Sequence, residues 1–178
     1  MRIAPLVLLL CFATPAFGQA PPIETASSPG CGDPNIKFDV KTDRSQHPFA
    51  KPDPGKALVY VLQDDSRFFS NPRPTTRFGL DRAWVGATQS NAYFYVSVDP
   101  GEHHLCALWQ STIETGPLAP RAAALHFTAQ AGNNYFFIVR DRWSKTELFG
   151  FLKLKPVDSD EAQLLMTDFG FSTSHEKK

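Results

Sequence analysis

Apolar and polar residues alternate with a period of two in several separate stretches of the chain. In Ile36–Thr42 (IKFDVKT), Ile36, Phe38 and Val40 face one way and Lys37, Asp39 and Lys41 the other. That pattern predicts a half-exposed strand at a sheet edge. Lys56–Gln63 (KALVYVLQ) is apolar on both faces, which predicts a central strand covered on both sides. Ala83–Thr88 reads as a short strand. Asn91–Val98 and His103–Gln110 flank Asp99-Pro100-Gly101-Glu102, and two such runs around a compact turn predict a β-hairpin. Ala122–Ala129 alternates, with Ala123, Leu125 and Phe127 inward and His126 and Thr128 outward. Tyr135–Arg140 and Leu148–Val157 complete the strands.

One segment changes period. Asp158 is followed three positions on by Glu161, and then Ala162, Leu165, Met166 and Phe169 recur at helical spacing. This predicts a capped helix docking one apolar stripe on the sheet. Asp43–Gly55, Asp64–Asp81 and Ser111–Pro120 are punctuated by Pro and Gly and read as irregular. Without βαβ alternation, the expected fold is mainly β: an antiparallel β-sandwich with one C-terminal α-helix. It spans residues 36–171, after a flexible arm at 19–35 and before a polar tail at 172–178.

The first 18 residues read as a secretory signal peptide. Arg2 supplies the positive end, Ile3–Ala13 the apolar stretch, and Ala16-Phe17-Gly18 the small residues before cleavage at Gln19. The apolar stretch is shorter than the roughly 20 residues a membrane span takes, and Leu10 precedes Cys11 where a lipobox needs a small residue. The expectation is a secreted or periplasmic protein without a stable membrane anchor. Of 18 basic and 18 acidic residues, removing Arg2 leaves 17 against 18, so nucleic acid is not an expected partner. Two cysteines survive cleavage, Cys31 and Cys106. In an exported chain an even pair reads first as a disulfide, the alternative being two free thiols.

Five short motifs occur in order: G-K-A-L-V-Y-V at Gly55–Val61, W-V-G at Trp84–Gly86, Y-F-Y-V at Tyr93–Val96, P-G-E-H at Pro100–His103 and T-A-x-A-G-x-x-Y-F at Thr128–Phe136. Together they resemble a family of bacterial envelope domains of unknown function, often found in small lipoproteins. The P-G-E-H turn is also similar to PEGA-type domains and to transthyretin-like sandwiches. The resemblance covers Gly55–Val157 and implies an Ig-like or transthyretin-like sandwich outside the cytoplasm. It implies no catalytic residues.

Candidate chemistry is sparse. On a strand, Glu102, His104 and Cys106 share one face while His103 and Leu105 share the other. His103, His104 and His126 are the weak candidates for a zinc or copper site, which needs three or four converging N or S ligands. The competing reading places Glu102 and His103 in hydrogen bonds at the turn, His104 on the surface and Cys106 in the bridge. The carboxylate pairs Asp64/Asp65 and Asp158/Asp160 read as a turn and a helix cap. There is no nucleophile elbow, phosphate loop or dinucleotide fingerprint, so neither catalysis nor a cofactor is expected. A binding face built from Tyr93, Tyr95, Phe68, Phe69 and Phe78 is the remaining possibility. The expected function is binding or scaffolding at the cell envelope, with an envelope protein, peptidoglycan or another glycan as partner. The alternative is an envelope metal-binding protein using the histidine cluster.

Overall fold

The computed structural model describes residues 31–69, 71–110, 122–144 and 149–178, without the side chains of 142–144 and 149–151. The signal peptide, residues 19–30 of the arm and the Ser111–Pro120 loop lie outside the described residues. Within them run β1 (Phe38–Asp43), β2 (Ala57–Phe68), β3 (Thr75–Leu80), β4 (Ala83–Gln89), β5 (Ala92–Val98) and β6 (Gly101–Trp109). Then follow β7 (Ala122–Ala129), β8 (Asn134–Ser144), β9 (Phe149–Pro156), α1 (Ser159–Asp168) and β10 (Gly170–Glu176).

The strands form two sheets, ordered β1-β10-β5-β2-β8-β9 and β4-β3-β6-β7. Both bury one face on a common core. Val59 and Val61 of β2, Phe94 of β5, Phe78 of β3 and Leu105 of β6 belong to it. As its pattern predicts, β2 is buried on both faces: Val59 and Val61 point between the sheets, while Leu58, Tyr60 and Leu62 lie in a second cluster with Ala162, Met166 and Phe169 of the helix region.

The helix begins where expected. The Asp158 side chain accepts from the Asp160 backbone N–H at 2.8 Å, satisfying one of the N–H groups a helix start leaves open. Glu161 does not reach back to close a capping box; its Oε1 accepts from Arg140 Nη2 at 2.5 Å.

Four expectations need correction. The Asn91–Val98 and His103–Gln110 runs do not pair. β5 lies between β10 and β2, β6 between β3 and β7, so Asp99-Pro100 carries the chain from one sheet to the other. Alternation and a turn signal specify two strands and a reversal, not which neighbour each strand takes. The six-stranded sheet is not purely antiparallel, because β8 runs parallel to β2 and β10 parallel to β5. Asp64–Asp81 is not an irregular stretch: β2 continues to Phe68 and β3 forms at Thr75–Leu80. Finally, most of the expected polar tail is β10, paired with β1 from Phe38↔Glu176 to Asp43↔Phe171. Its alternating Ser172 and Ser174 seal an edge, since the Ala87 N–H donates to Ser174 Oγ at 2.9 Å and the Ala87 carbonyl accepts from Ser172 Oγ at 3.1 Å.

The tight hairpin is β3–β4. Its two-residue loop, Asp81-Arg82, has φ of 49° and 72°. Those left-handed angles suit the twist of a hairpin, but the sequence there lacks the Asn-Gly or Asp-Gly that announces one.

A strap closes the outer face of the four-stranded sheet. Cys31 and Cys106 form a disulfide across a separation of 75 residues. Beyond it, Trp84 Nε1 donates to the Asp33 carbonyl at 2.7 Å, and Arg77 Nη1 donates to the Pro34 carbonyl at 3.1 Å and to the Ile36 carbonyl. The Arg77 guanidinium sits 4.4 Å from the Trp84 ring centroid. Gly32 passes so close to that indole that a Cβ there would lie 2.6 Å from Trp84 Cδ1.

Candidate binding site

The outer face of the six-stranded sheet is an aromatic floor. Tyr60 of β2, Tyr95 of β5 and Phe136 of β8 lie side by side, with the Tyr60 ring centroid 5.2 Å from Tyr95 and 5.1 Å from Phe136. Phe49, from the loop between β1 and β2, stacks on this floor at 5.5 Å from Tyr60 and 6.3 Å from Phe136, with interplanar angles of 16° and 12°.

Polar pins hold the loop in place. Tyr60 Oη accepts from the Ala50 N–H at 2.8 Å and donates to the Ala50 carbonyl at 3.1 Å. Tyr93 Oη donates to the Pro48 carbonyl at 3.2 Å, and His47 Nδ1 lies 2.8 Å from the Met166 carbonyl. Burial raises the pKa of both tyrosines, that of Tyr93 to about 12, so both hydroxyls stay protonated and able to donate.

Between this loop and α1 opens a groove of about 190 Å³, lined by His47, Phe49, Gln163, Met166 and Thr167. Phe49 remains 49 % exposed although its ring is held flat against two others, and Leu164 nearby on α1 is 70 % exposed. Groove and loop combine an apolar wall, a fixed aromatic face and a polar rim, the composition of a site for a ligand with both apolar and hydroxyl or amide groups.

The residues of the expected binding face are not gathered on one surface. Phe68 and Phe78 are buried between the sheets, and Tyr93 is buried under the loop on the opposite side of the six-stranded sheet. Tyr95 joins the floor, and Phe69 stands 74 % exposed just beyond β2. Phe49, which stacks on the floor and lines the groove, sits in a segment that reads as a loop or linker. The available signal was one aromatic ring among Pro48, Pro52 and Pro54, a large apolar group in a stretch otherwise built to stay in water.

The histidines separate into two environments. His103 Nδ1 lies 2.6 Å from Asp81 Oδ2 and its Nε2 lies 2.7 Å from the Asp99 carbonyl. Both nitrogens face acceptors, which suits the doubly protonated ring. Burial alone would lower its pKa, but the Asp81 carboxylate and the Asp99 carbonyl outweigh it and raise the value. Asp81 Oδ1 also accepts from the His104 backbone N–H at 2.8 Å. His104 and His126 are directly opposed on β6 and β7, exposed, with ring centroids 6.4 Å apart. Among the described residues no three His, Cys, Asp or Glu side chains gather as a metal would require. Glu102 is exposed, and Cys106 is bridged.

A family model described as "Protein of unknown function (DUF2846)" matches residues 53–149. No curated protein matches the chain. The matched span covers β2 to the first residue of β9 and includes the aromatic floor, whereas Phe49 and α1, which make the groove, flank it.

Proposed function

Starting from the chain's membership of this family of unknown function, we propose that it is an exported, non-catalytic binding or scaffolding domain of the bacterial cell envelope. We read its two sheets as a sandwich of the Ig-like or transthyretin-like kind, with PEGA-like character. The carrying observation is Phe49, half exposed and held flat beside a groove with an amide and a hydroxyl on its rim. A pinned ring offers its free face without the ordering cost a mobile side chain carries. The occupant this arrangement suits best is a glycan strand such as peptidoglycan, whose sugar rings stack on aromatic faces while their substituents meet polar side chains.

Export is supported by the Cys31–Cys106 disulfide, since disulfides persist in oxidising compartments. A non-catalytic role is supported by how the candidate acid–base groups are spent: both nitrogens of His103 are engaged, and Asp158 caps α1. The test is a titration of soluble peptidoglycan fragments followed by backbone NMR. Shifts should cluster at Gln46–Lys51 and Gln163–Asp168, and Phe49→Ala should weaken binding at least tenfold. Binding that is unchanged in Phe49→Ala, or no binding, would sink the glycan reading.

The opposed, exposed pair His104 and His126 supports a second reading, a metal-binding role at the β6–β7 ladder. Zinc or copper titration of the exported protein separates the two: this reading expects stoichiometric binding lost in His126→Ala, whereas the glycan site is indifferent to chelators.

A further inference from the structure

The core between the sheets turns polar at one end, where two carboxyls are buried together. Asp65 on β2 is 0 % exposed and Asp141 on β8 is 1 % exposed. One amide serves both: Gln63 Nε2 lies 2.8 Å from Asp65 Oδ1, 2.9 Å from Asp141 Oδ2 and 3.1 Å from the Pro74 carbonyl oxygen. The amide is oriented by Thr88, whose Oγ1 donates to Gln63 Oε1 at 2.6 Å. Two amide hydrogens face three acceptors, so Gln63 cannot neutralise the site alone.

Among the described residues, Asp65 Oδ2 and Asp141 Oδ1 are buried without a hydrogen bond, as is the Trp109 indole N–H that faces Asp141, and the two carboxyls lie within hydrogen-bonding reach of each other. Ionised carboxylates only accept; one proton between them turns an unsatisfied, repulsive contact into a bond. Two charged groups act on Asp65 from its own surroundings: the Arg73 cation lowers its pKa and the Asp64 carboxylate raises it. Arg73 donates through Nη1 to the Asp65 main-chain carbonyl at 2.6 Å, and Asp64 adds a like charge across β2. From β3, β4 and β6 come the neutral side chains of Thr76, Thr88 and Trp109. Arg140 turns to the opposite face, towards Asp64 and Glu161.

We infer that Asp65 and Asp141 share a single proton in the folded protein at neutral pH, and that this proton fastens the seam between β2 and β8 in a pH-sensitive way. Removing it leaves two like charges facing each other in the interior and loosens this end of the molecule. Burial, with the charge of Asp65 acting on Asp141, raises the pKa of both groups, that of Asp141 well above the usual carboxylate range. The folded state therefore binds a proton that the unfolded chain releases. Stability from this pair is fullest below the ordinary carboxylate pKa and is lost as pH rises through the pair's own ionisation, by up to about tenfold in the folding equilibrium per pH unit.

The experiment is urea unfolding of the full chain and of Asp141→Asn from mildly acidic to mildly alkaline pH, with and without a chelator. An asparagine amide donates permanently where the proton sat. The expected result is a flattened pH slope and a variant more stable than the natural chain at the alkaline end. His103 contributes equally to both proteins, so the difference isolates the pair. Equal slopes would overturn the inference, as would a loss of stability with chelator that added calcium restores, since a cation would then stand where the proton is placed. Should Asp141→Asn not fold, infrared spectroscopy of the natural chain decides: the carbonyl band of a buried carboxylic acid should persist at neutral pH, and its absence refutes the shared proton.

Discussion

The two sheets cover their outer faces by opposite means. On the six-stranded sheet, α1 and the Phe49 loop bury Leu58, Tyr60, Leu62, Phe136 and Ile138 under apolar side chains. On the four-stranded sheet, a strap of about six residues lies across the face and is held by a disulfide, a guanidinium and an indole N–H. A helix with an apolar stripe repays its ordering by area removed from water. The strap contributes Gly32, Asp33, Pro34 and Asn35, with almost nothing apolar to bury, so it is fixed by a covalent bond and by directional bonds to its carbonyls. Short polar segments need staples for the same reason that very small domains do.

The most direct way to break this contrast is to strip each cover in turn. Phe169→Ala removes a ring that is 4 % exposed beneath the helix and should cost about 3–5 kcal/mol in urea unfolding. Replacing the disulfide by Cys31→Ser with Cys106→Ala should cost about 2–4 kcal/mol. Hydrogen exchange in that variant should accelerate in β3, β4 and β6 and stay unchanged in α1. If α1 exchanges faster too, the two covers are not independent. Tyr60→Phe keeps the floor but deletes the hydroxyl bonded twice to Ala50. It should cost about 1–2 kcal/mol, and Phe49 resonances should broaden as the loop loses its pin.

A smaller effect sharpens the comparison at the far end of the four-stranded sheet. The raised pKa of His103, partnered by Asp81, means that its contribution is complete below the ordinary histidine value near 6.5. It is lost as pH climbs through the higher folded value. Asp81→Asn should remove this decline, read as melting temperature against pH. An unchanged profile would show that the ion pair adds nothing to stability.

How much of this was legible in the chain follows from what each pattern encodes. Periodicity found β2, buried on both faces, and α1 with its Asp158 cap, because those signals are local and their chemistry sits within a few residues. It missed the partner of β5, since register and sheet membership depend on where distant segments come to lie. Asp65 reads as a turn residue beside Asp64. Its burial becomes intelligible only when β8 delivers Asp141 and β2 supplies Gln63, and no window of sequence contains all three. Ser172–Glu176 looks like a tail because its side chains are polar; Ser172 is nonetheless buried, and it and Ser174 satisfy the backbone of β4. His103, by contrast, went to the turn, as the bland reading held, because one of its two acceptors, the Asp99 carbonyl, is only four residues away along the chain.

The disulfide has a mechanical side as well. A chain pulled at its two ends carries load through its shortest covalent route, and here that route leaves the backbone at Cys31 and rejoins it at Cys106. Everything between, from β1 to the first half of β6, lies off the loaded path. Tension applied through the N-terminal arm reaches the middle of the four-stranded sheet, on the side away from the Phe49 groove, and does not peel β1 from its edge. His47 and Phe49 on one wall of that groove are thereby shielded from the load, whereas Gln163, Met166 and Thr167 on the other stay in series with it.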